Sequence, residues 1–139
     1  MTKHGGDTIK CDALPWLPLA PKVFIKVIKT VPETGAFSVM IRAEAGGVLP
    51  RHKHLDAAEI YIFKGAGKHP QTGAFEPGDY VSETKDAIHD PLHFKEDTEL
   101  LMISQGPSAF IDDKDQTLYM MDVAMLQNLA ASAGQPRPS

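Results

Sequence analysis

Apolar and polar side chains alternate along the first part of the chain with the period of a β-strand. Val23, Ile25 and Val27 are separated by single residues, and all three are β-branched. Side chains of a strand point alternately to its two faces, so this spacing predicts a strand with one buried face. A Pro-Glu-Thr-Gly turn at residues 32–35 leads into a second such run at residues 37–43. The two runs are predicted to form a hairpin.

The rest of the chain continues with short strand-like segments. Residues 60–63 are apolar at every position, which predicts a strand covered on both faces. Residues 100–103 and 109–111 are predicted to be closing strands. Turns that contain glycine or proline separate these segments, at residues 65–67, 71–73, 76–79 and 105–107. Many short strands divided by such turns are typical of a barrel or jelly roll, so the predicted fold class is all-β.

The N-terminal end of the chain differs from this central region. Residues 1–13 are mostly polar and are predicted to be a flexible segment. Residues 14–21 contain three prolines, which favours an extended arm over a helix or a central strand. The apolar residues of this arm, Trp16, Leu17 and Leu19, pack either on the chain's own barrel or on a partner subunit.

A helix is predicted at the C-terminal end. Asp122 can cap it, and Gly134 can end it. Between them apolar residues recur at spacings of three and four, namely Val123, Leu126, Ala130 and Ala133. The chain is therefore expected to be a single domain, with a barrel over residues 14–121 and a helix and tail over residues 122–139. The helix is expected to cover one end of the barrel.

Composition and charge narrow the class of protein. The chain has 139 residues, 42% hydrophobic and 23% charged, as is ordinary for a globular protein. A formal charge of -4, without a cluster of Lys or Arg, argues against nucleic acid or a membrane as partner. Cys11 is the single cysteine, so no intrachain disulfide or Cys-x-x-Cys site can form. No secretory signal or long apolar run is present, so a cytoplasmic protein is expected.

Histidines with the spacing of metal ligands lie in the middle of the chain. His52 and His54 are separated by one residue, so on a strand both imidazoles point to one side and Lys53 to the other. Glu59 follows His54 by five positions and reaches that side only if the chain bends between them. A later hairpin could bring His89 beside the pair. His4, His69 and His93 are the other candidates for a third imidazole. The four residues predicted to bind one metal ion are His52, His54, Glu59 and His89, with Glu59 either a ligand or hydrogen-bonded to one.

Several other polar residues have alternative roles. His4, His69 and His93 are the remaining histidines; His69 lies in a glycine-flanked turn, where an exposed imidazole is expected, and His93 is a spare ligand, an acid-base group or a strand residue. Glu83 is either a solvated charge or a carboxylate at the pocket wall that orients a ligand or accepts a proton. Arg42 could pair with that carboxylate or with an anionic substrate oxygen. Glu83 and Arg42 are therefore the candidate catalytic residues.

The central residues resemble the first motif of the cupin superfamily. Five of them match it, with the last glycine one residue early: Gly46, His52, His54, Glu59 and Gly65. The second cupin motif is matched mainly by spacing, with His89 at its histidine and His93 at its asparagine, whereas Thr84 and Asp86 replace its proline and glycine. The resemblance covers about residues 14–112 and implies a double-stranded β-helix, the cupin jelly-roll barrel.

Among cupins, the spacing from His54 to His89 and the turn at residues 78–80 resemble the acetylacetone-cleaving and 2,4'-dihydroxyacetophenone dioxygenase group. This resemblance implies a non-haem Fe(II) oxidoreductase that uses dioxygen to cleave a carbon-carbon bond in a small β-diketone or hydroxyketone. Imidazole and carboxylate ligands also suit zinc, nickel or manganese. The resemblance further implies a homodimer or higher homo-oligomer. It also implies an apolar pocket around the metal, shaped by Tyr61, Phe63, Tyr80 and Met102.

Two other functions are open from the sequence. The chain also resembles the cupin domains of zinc-binding anti-sigma factors, which implies a non-catalytic metal-binding or sensor module. Such a factor carries a helical sigma-binding domain before its cupin, whereas only a short segment precedes the first predicted strand here. An isomerase or epimerase of sugar nucleotides would need no metal, so the predicted ligands argue against it.

Overall fold

The computed structural model describes residues 5–136. Within them the chain is mostly strand, with a short 3-10 helix at Cys11–Ala13 and one α-helix, α1, at Val123–Ser132. The strands are Leu17–Ala20 (β1), Val23–Val31 (β2), Ala36–Ala43 (β3), Val48–Leu49 (β4), His52–His54 (β5), Ala58–Lys64 (β6), Gly67–His69 (β7), Gly73–Phe75 (β8), Tyr80–Glu83 (β9), Ile88–His89 (β10), Leu92–His93 (β11), Thr98–Ser104 (β12), Ser108–Ile111 (β13) and Thr117–Met121 (β14).

The strands pair into two main sheets and two small ones. The larger sheet has six strands in the order β1-β2-β3-β12-β6-β9, and the second has four in the order β10-β5-β13-β14. The pairs β11-β4 and β7-β8 complete the barrel. Strands that are distant in sequence lie side by side in both main sheets. The predicted all-β jelly-roll barrel with a short C-terminal helix is confirmed.

The core lies between the two main sheets. On β3, buried and partly exposed residues alternate along the whole strand, and Phe37, Val39 and Ile41 are at most 3% exposed. Their counterparts on β2 include Ile25 and Val27, which are fully buried. Removing these side chains from water is the main force that holds the sheets together. The alternation in the sequence therefore marks the buried face, as predicted.

Strand β6 is covered on one face only. Ala58 and Ile62 are buried, whereas Tyr61 is 43% exposed and Phe63 is 51% exposed. The prediction that residues 60–63 are covered on both faces is therefore wrong for the single chain. An antiparallel sheet can leave its outer face in contact with solvent, and apolar residues can occupy that face.

The N-terminal arm packs on the chain's own barrel. Strand β1 pairs with β2, and Leu17 is 4% exposed. The Trp16 ring lies against two cations, with Nζ of Lys26 4.8 Å and Cζ of Arg42 4.6 Å from its centroid. Strand β1 is at the edge of the sheet, where Pro18 is tolerated because no N–H is needed there. Residues 1–4 of the predicted flexible segment lie outside the described residues.

The C-terminal helix begins as the sequence predicts. The carboxylate of Asp122 accepts a hydrogen bond of 2.8 Å from the backbone N–H of Met125, which caps the helix. Leu126 and Ala130 are buried, and the helix packs against β2 and β14. Residues 137–139 of the predicted tail lie outside the described residues. Between residues 5 and 136, no helix has the length and hydrophobicity needed to span a lipid bilayer.

Candidate metal centre

Three imidazoles meet inside the barrel. His52 and His54 lie on β5 and point to the same side, as their spacing predicts, and both are buried. Strand β10 pairs with β5 so that His89 lies directly opposite His52. The three ring centroids are 4.9, 5.3 and 5.1 Å apart. One nitrogen from each ring lies within 4.8 Å of the other two, so the predicted convergence of His52, His54 and His89 is observed.

A carboxylate from another strand faces two of these imidazoles. Glu83 is the last residue of β9 and is 4% exposed. Its Oε1 is 3.2 Å from Nε2 of His54, and its Oε2 is 2.8 Å from Nδ1 of His89. Strand β9 pairs with β6, which places Glu83 directly opposite Ala58 and leaves room for the carboxylate inside the barrel. The structure therefore brings Glu83, named as a candidate from the sequence, into the histidine cluster.

Burial and charge set the protonation of this cluster. Burial, with smaller contributions from the nearby His54 and His89, lowers the pKa of His52 to about 4. Burial alone would raise the pKa of Glu83, but the imidazoles of His54 and His89 favour its charged form more strongly and lower that pKa below its usual range. At neutral pH the centre thus contains a neutral His52 and an ionised Glu83, which are the forms that bind a cation.

The second nitrogen of two histidines is already engaged. Nδ1 of His52 donates to the carbonyl of Pro50 at 2.8 Å, which leaves the lone pair on Nε2. Nδ1 of His54 is 3.3 Å from Oγ of Ser108. Such bonds orient the ring of a metal-binding histidine and fix its tautomer. For both residues, the nitrogen that faces the cluster is therefore Nε2.

The polar atoms of the cluster fit a shared cation. Nε2 of His54, Nδ1 of His89 and Oε1 of Glu83 are buried and make no hydrogen bond of normal geometry to residues 5–136. They nevertheless approach their neighbours to 3.2 and 2.8 Å. Two ligands that each lie about 2.1 Å from one ion, at a right angle, are about 3 Å apart. The cluster could therefore bind a divalent metal.

An apolar cavity adjoins the cluster. Its free volume is about 50 Å³, and His52, His54, Glu83 and His69 form its polar part. A cavity needs only about 10–15 Å³ of such volume to hold one water molecule, so this one has room for a small ligand. The rest of the wall is apolar apart from Ser108, with side chains from both sheets, including Ile41, Leu49, Leu92, Phe94, Met102 and Phe110.

Comparison with known proteins assigns the family. A family model described as the ChrR cupin-like domain matches residues 4–109, which is more than half of the chain. The chain belongs to the ChrR cupin-like family. This cupin is 26% identical over 108 residues to an acetylacetone-cleaving enzyme of Acinetobacter johnsonii, covering 73% of this chain and 70% of that protein.

Solved structures agree with the cupin fold. An acetylacetone dioxygenase from Acinetobacter johnsonii superposes with a TM-score of 0.82 at 19% identity, covering 95% of this chain and 94% of that chain. The complex of Rhodobacter sphaeroides SigE with the anti-sigma ChrR gives a TM-score of 0.58 at 20% identity, covering 68% of this chain and 51% of that chain. At these identities the likeness concerns the fold.

Two predicted site residues lie outside the centre of this cupin. Glu59 is exposed on the outer face of β6, where its Oε1 accepts a hydrogen bond of 2.6 Å from the Tyr80 hydroxyl. The structure corrects its prediction as a ligand, because Ala58 takes the inward position at the start of β6. Arg42 is also outside: it lies on the outer face of β3 against Trp16 and Phe24. It therefore makes no counter-ion for Glu83.

The predicted pocket residues divide between the two faces of the larger sheet. Met102 is buried and lines the cavity, as predicted. Tyr61, Phe63 and Tyr80 are 43%, 51% and 59% exposed, so their prediction as pocket residues is wrong.

The remaining histidines behave differently from one another. His93 is exposed on β11, which agrees with its interpretation as a strand residue. His69 is 7% exposed and its ring centroid is 4.4 Å from that of His89, so the expectation of an exposed imidazole is wrong. Burial, and secondly the nearby His89, lower the pKa of His69. His4 lies outside the described residues.

Proposed function

We propose that this cupin is a metal-dependent dioxygenase that cleaves a carbon-carbon bond in a small β-diketone or hydroxyketone. The observation that carries the proposal is the buried cluster of His52, His54 and His89, with Glu83 beside it, at the polar end of an apolar cavity. A compact ligand with two oxygens and a small hydrocarbon frame has the polarity that such a site complements.

The relatives support this reaction class. The Acinetobacter johnsonii protein, which is 26% identical to this chain over 108 residues, is described as an acetylacetone-cleaving enzyme. Cupins host many unrelated reactions, so the fold by itself selects none of them. The match over 70% of that protein, together with the buried histidines, makes diketone cleavage the best-supported hypothesis.

Each polar residue has a defined task in this proposal. His52, His54 and His89 would hold the ion, and the Pro50 carbonyl keeps the His52 ring in the ligating tautomer. A bound divalent ion would supply Lewis acidity toward the substrate and, if it is iron, redox chemistry toward dioxygen. Glu83 is ionised and faces the cavity, so it would accept the proton that the diketone or hydroxyketone loses on binding. The apolar wall excludes bulk water.

We propose iron(II) as the metal, with zinc, nickel and manganese as the alternatives. Three imidazole ligands with a carboxylate beside them suit all of these ions. Iron is favoured by the proposed use of dioxygen, because zinc has no redox chemistry. The substrates would then be dioxygen and a small organic molecule.

The proposal is tested by metal analysis joined to an oxygen electrode. Protein purified without chelator or added metal is analysed for bound iron, zinc, nickel and manganese. It is then loaded with ferrous ion and screened with acetylacetone, other β-diketones and hydroxyketones. Oxygen uptake that requires both iron and substrate, and that is absent from the His89→Ala variant, is expected. Absence of uptake with every compound of these classes would overturn the proposal.

The second candidate function is a non-catalytic metal-binding module. It is favoured by the family model, which is that of the ChrR cupin-like domain, and by the partial superposition on the SigE–ChrR complex. The same experiment separates it from the dioxygenase. Stoichiometric, tightly held zinc without oxygen uptake would support the module.

A further inference from the structure

His69 is a buried imidazole that metal binding leaves unexplained. It ends β7 at the tight turn into β8, is 7% exposed, and lines the same cavity as His52 and His54. With Glu83 and His89 it forms a second group of residues whose ligand atoms lie within 4.8 Å of one another. Either this second group binds a metal of its own, or His69 has another task.

The hydrogen bonds of His69 decide between these alternatives. Its Nδ1 is 3.1 Å from the backbone nitrogen of Gln71 and 3.1 Å from that of Thr72. Backbone N–H groups only donate, so Nδ1 must accept and must carry the lone pair. The proton of the neutral ring is therefore on Nε2. A protonated nitrogen cannot coordinate a metal ion, which excludes His69 as a ligand.

The Nε2–H group of His69 has no acceptor of its own. The nearest charged oxygen is Oε2 of Glu83 at 3.9 Å, which is too far for a hydrogen bond. Among residues 5–136, the hydrogen bonds of the His69 ring both involve Nδ1, and none involves Nε2. A donor that is largely shielded from bulk solvent and has no protein partner is usually paired with water or a ligand. This donor lines the cavity beside the metal centre.

The turn that carries His69 is fastened to the segment that carries His89. The Gln71 amide donates from Nε2 to Oδ2 of Asp90 at 2.8 Å, and Oε1 of Gln71 accepts from the backbone N–H of Asp90 at 3.0 Å. Asp90 directly follows His89. These two reciprocal bonds keep the imidazole of His69 at a fixed place relative to the metal ligand His89.

We propose that His69 is a substrate-binding residue whose Nε2–H donates a hydrogen bond to an anionic oxygen of the ligand bound at the metal centre. For the proposed function, this oxygen belongs to the enolate of a β-diketone or to the deprotonated oxygen of a hydroxyketone. The inference rests on the proposed function for that choice of substrate. The shared chemistry is an anionic oxygen, which a simple carboxylate such as acetate also provides.

The test uses the zinc-loaded protein, because zinc allows ligand binding without oxygen chemistry. Calorimetric titration with acetylacetone, and separately with acetate, is carried out on the wild type, His69→Leu, His69→Gln and the control His93→Leu. Bound zinc should be the same in all four. Because the lost hydrogen bond has a charged acceptor, Kd for acetylacetone should rise about 10- to 100-fold in His69→Leu. His69→Gln, which retains an N–H donor, should recover part of the affinity, and His93→Leu should match the wild type.

A second measurement reports on the ring itself. Long-range proton-nitrogen NMR spectra of the nitrogen-15-labelled wild type should show His69 with the proton on Nε2, with or without zinc. A proton on Nδ1, or loss of bound zinc in His69→Leu, would overturn the inference, as would unchanged affinity for both ligands in that variant. If acetate binds in a His69-dependent manner and acetylacetone does not bind, the proposed substrate fails and the donor role of His69 stands. If the wild type binds neither ligand, both proposals fail.

Discussion

Buried histidine makes the stability of the metal-free protein dependent on pH. The pKa of His52 is about 4 in the fold and near 6.5 in an unfolded chain. The unfolded state therefore binds a proton first as pH falls below 6.5. The free energy of unfolding is therefore unaffected by this histidine above pH 6.5. It decreases progressively as pH falls to about 4, by up to about 3 kcal/mol. Urea unfolding of chelator-treated protein at pH 7.5, 6 and 5 should show a steady decrease in the free energy of unfolding.

The variants that check this prediction are His52→Gln and His93→Gln. Removing the His52 imidazole should reduce the dependence on pH between 7.5 and 5, to which His69 also contributes because burial lowers its pKa too. Changing the exposed His93 should leave the slope as it is. Glu83 adds to the loss only at lower pH, because its ordinary pKa is 4.5 and the fold lowers it. Equal stability of the wild type at pH 7.5 and pH 5 would contradict the assignment of His52 as a buried neutral ring.

Replacing Glu83 by Gln should separate metal binding from turnover. The change keeps the shape of the side chain and removes its charge, so the three imidazoles can still hold the ion. Loss of a proton acceptor typically lowers the rate by about 100- to 10,000-fold. We expect bound metal to persist and oxygen uptake with a responsive substrate to fall by that factor. The matched control is Glu59→Gln, since Glu59 is exposed and pairs with Tyr80; loss of metal from Glu83→Gln would instead make Glu83 a ligand.

At the scale of single residues, strand parity explains which assignments the sequence could support. Two histidines one residue apart share a face of any strand, so His52 and His54 were predictable. On β6, either the even-numbered residues with Ala58 or the odd-numbered residues with Glu59 could face inward. Residues 60–63 are all apolar, so the sequence does not show which set is buried. The burial of His69 was not predictable from its glycine-containing turn. It depends on the packing of β7 against β11, which is distant in sequence.

At the scale of elements, the turn at Gly65 after β6 tolerates no side chain. Gly65 has a φ of +87°, and a Cβ placed there would overlap the carbonyl oxygen of Asp97. Gly73, at the start of β8, has a φ of +97° but nothing within 4 Å of such a Cβ. Gly73→Ala should therefore lower the free energy of unfolding only by the cost of a left-handed backbone conformation for alanine, about 1–2 kcal/mol.

Comparison of the two variants isolates the steric part. Gly65→Ala should lower the free energy of unfolding by clearly more than Gly73→Ala does, as measured by urea unfolding at neutral pH, because the backbone of residue 97 must move as well. If both variants lose the same free energy of unfolding, the backbone around residue 97 moves aside without an energetic cost. Overpacking of this kind typically adds about 1–3 kcal/mol.

The elements themselves were largely predictable because local rules determine them. The hairpin of β2 and β3, the closing strands and the capped helix α1 follow from alternation, turn residues and an N-cap. What the sequence did not determine is pairing between distant strands, such as β12 between β3 and β6. That pairing decides which side of each strand is buried. Because it could not be deduced from the sequence, the prediction of Tyr61 and Phe63 as inward-facing residues is wrong.

At the scale of the whole molecule, metal binding should stabilise the fold. The ligands lie on β5 and β10, and Glu83 on β9 belongs to the other main sheet, so an ion at the centre would link parts of the barrel that unfold together. An ion present at about 100 times its Kd stabilises the native state by about 2.7 kcal/mol. For a domain of this size, that raises the melting temperature by several degrees. Thermal unfolding with ferrous or zinc ion, against chelator-treated protein, measures the shift.

The His89→Ala variant is the control for this effect. Its melting temperature should not respond to metal at the same concentrations, whereas His93→Ala should respond like the wild type. A shift of equal size in His89→Ala would place the ion elsewhere on the chain. Assembly into a homodimer and a cytoplasmic location stay predictions of the sequence.

The pairing of Ala58 with Glu83 has a consequence for redesign. These two residues lie directly opposite each other on neighbouring strands, and both point into the barrel. Residues opposed in this way have Cβ atoms about 5 Å apart. Ala58→Asp would therefore place a second carboxylate beside that of Glu83. Carboxylate oxygens are the ligands that harder cations such as Mg²⁺, Ca²⁺ and Mn²⁺ prefer, so this substitution would shift the metal preference of the centre toward them.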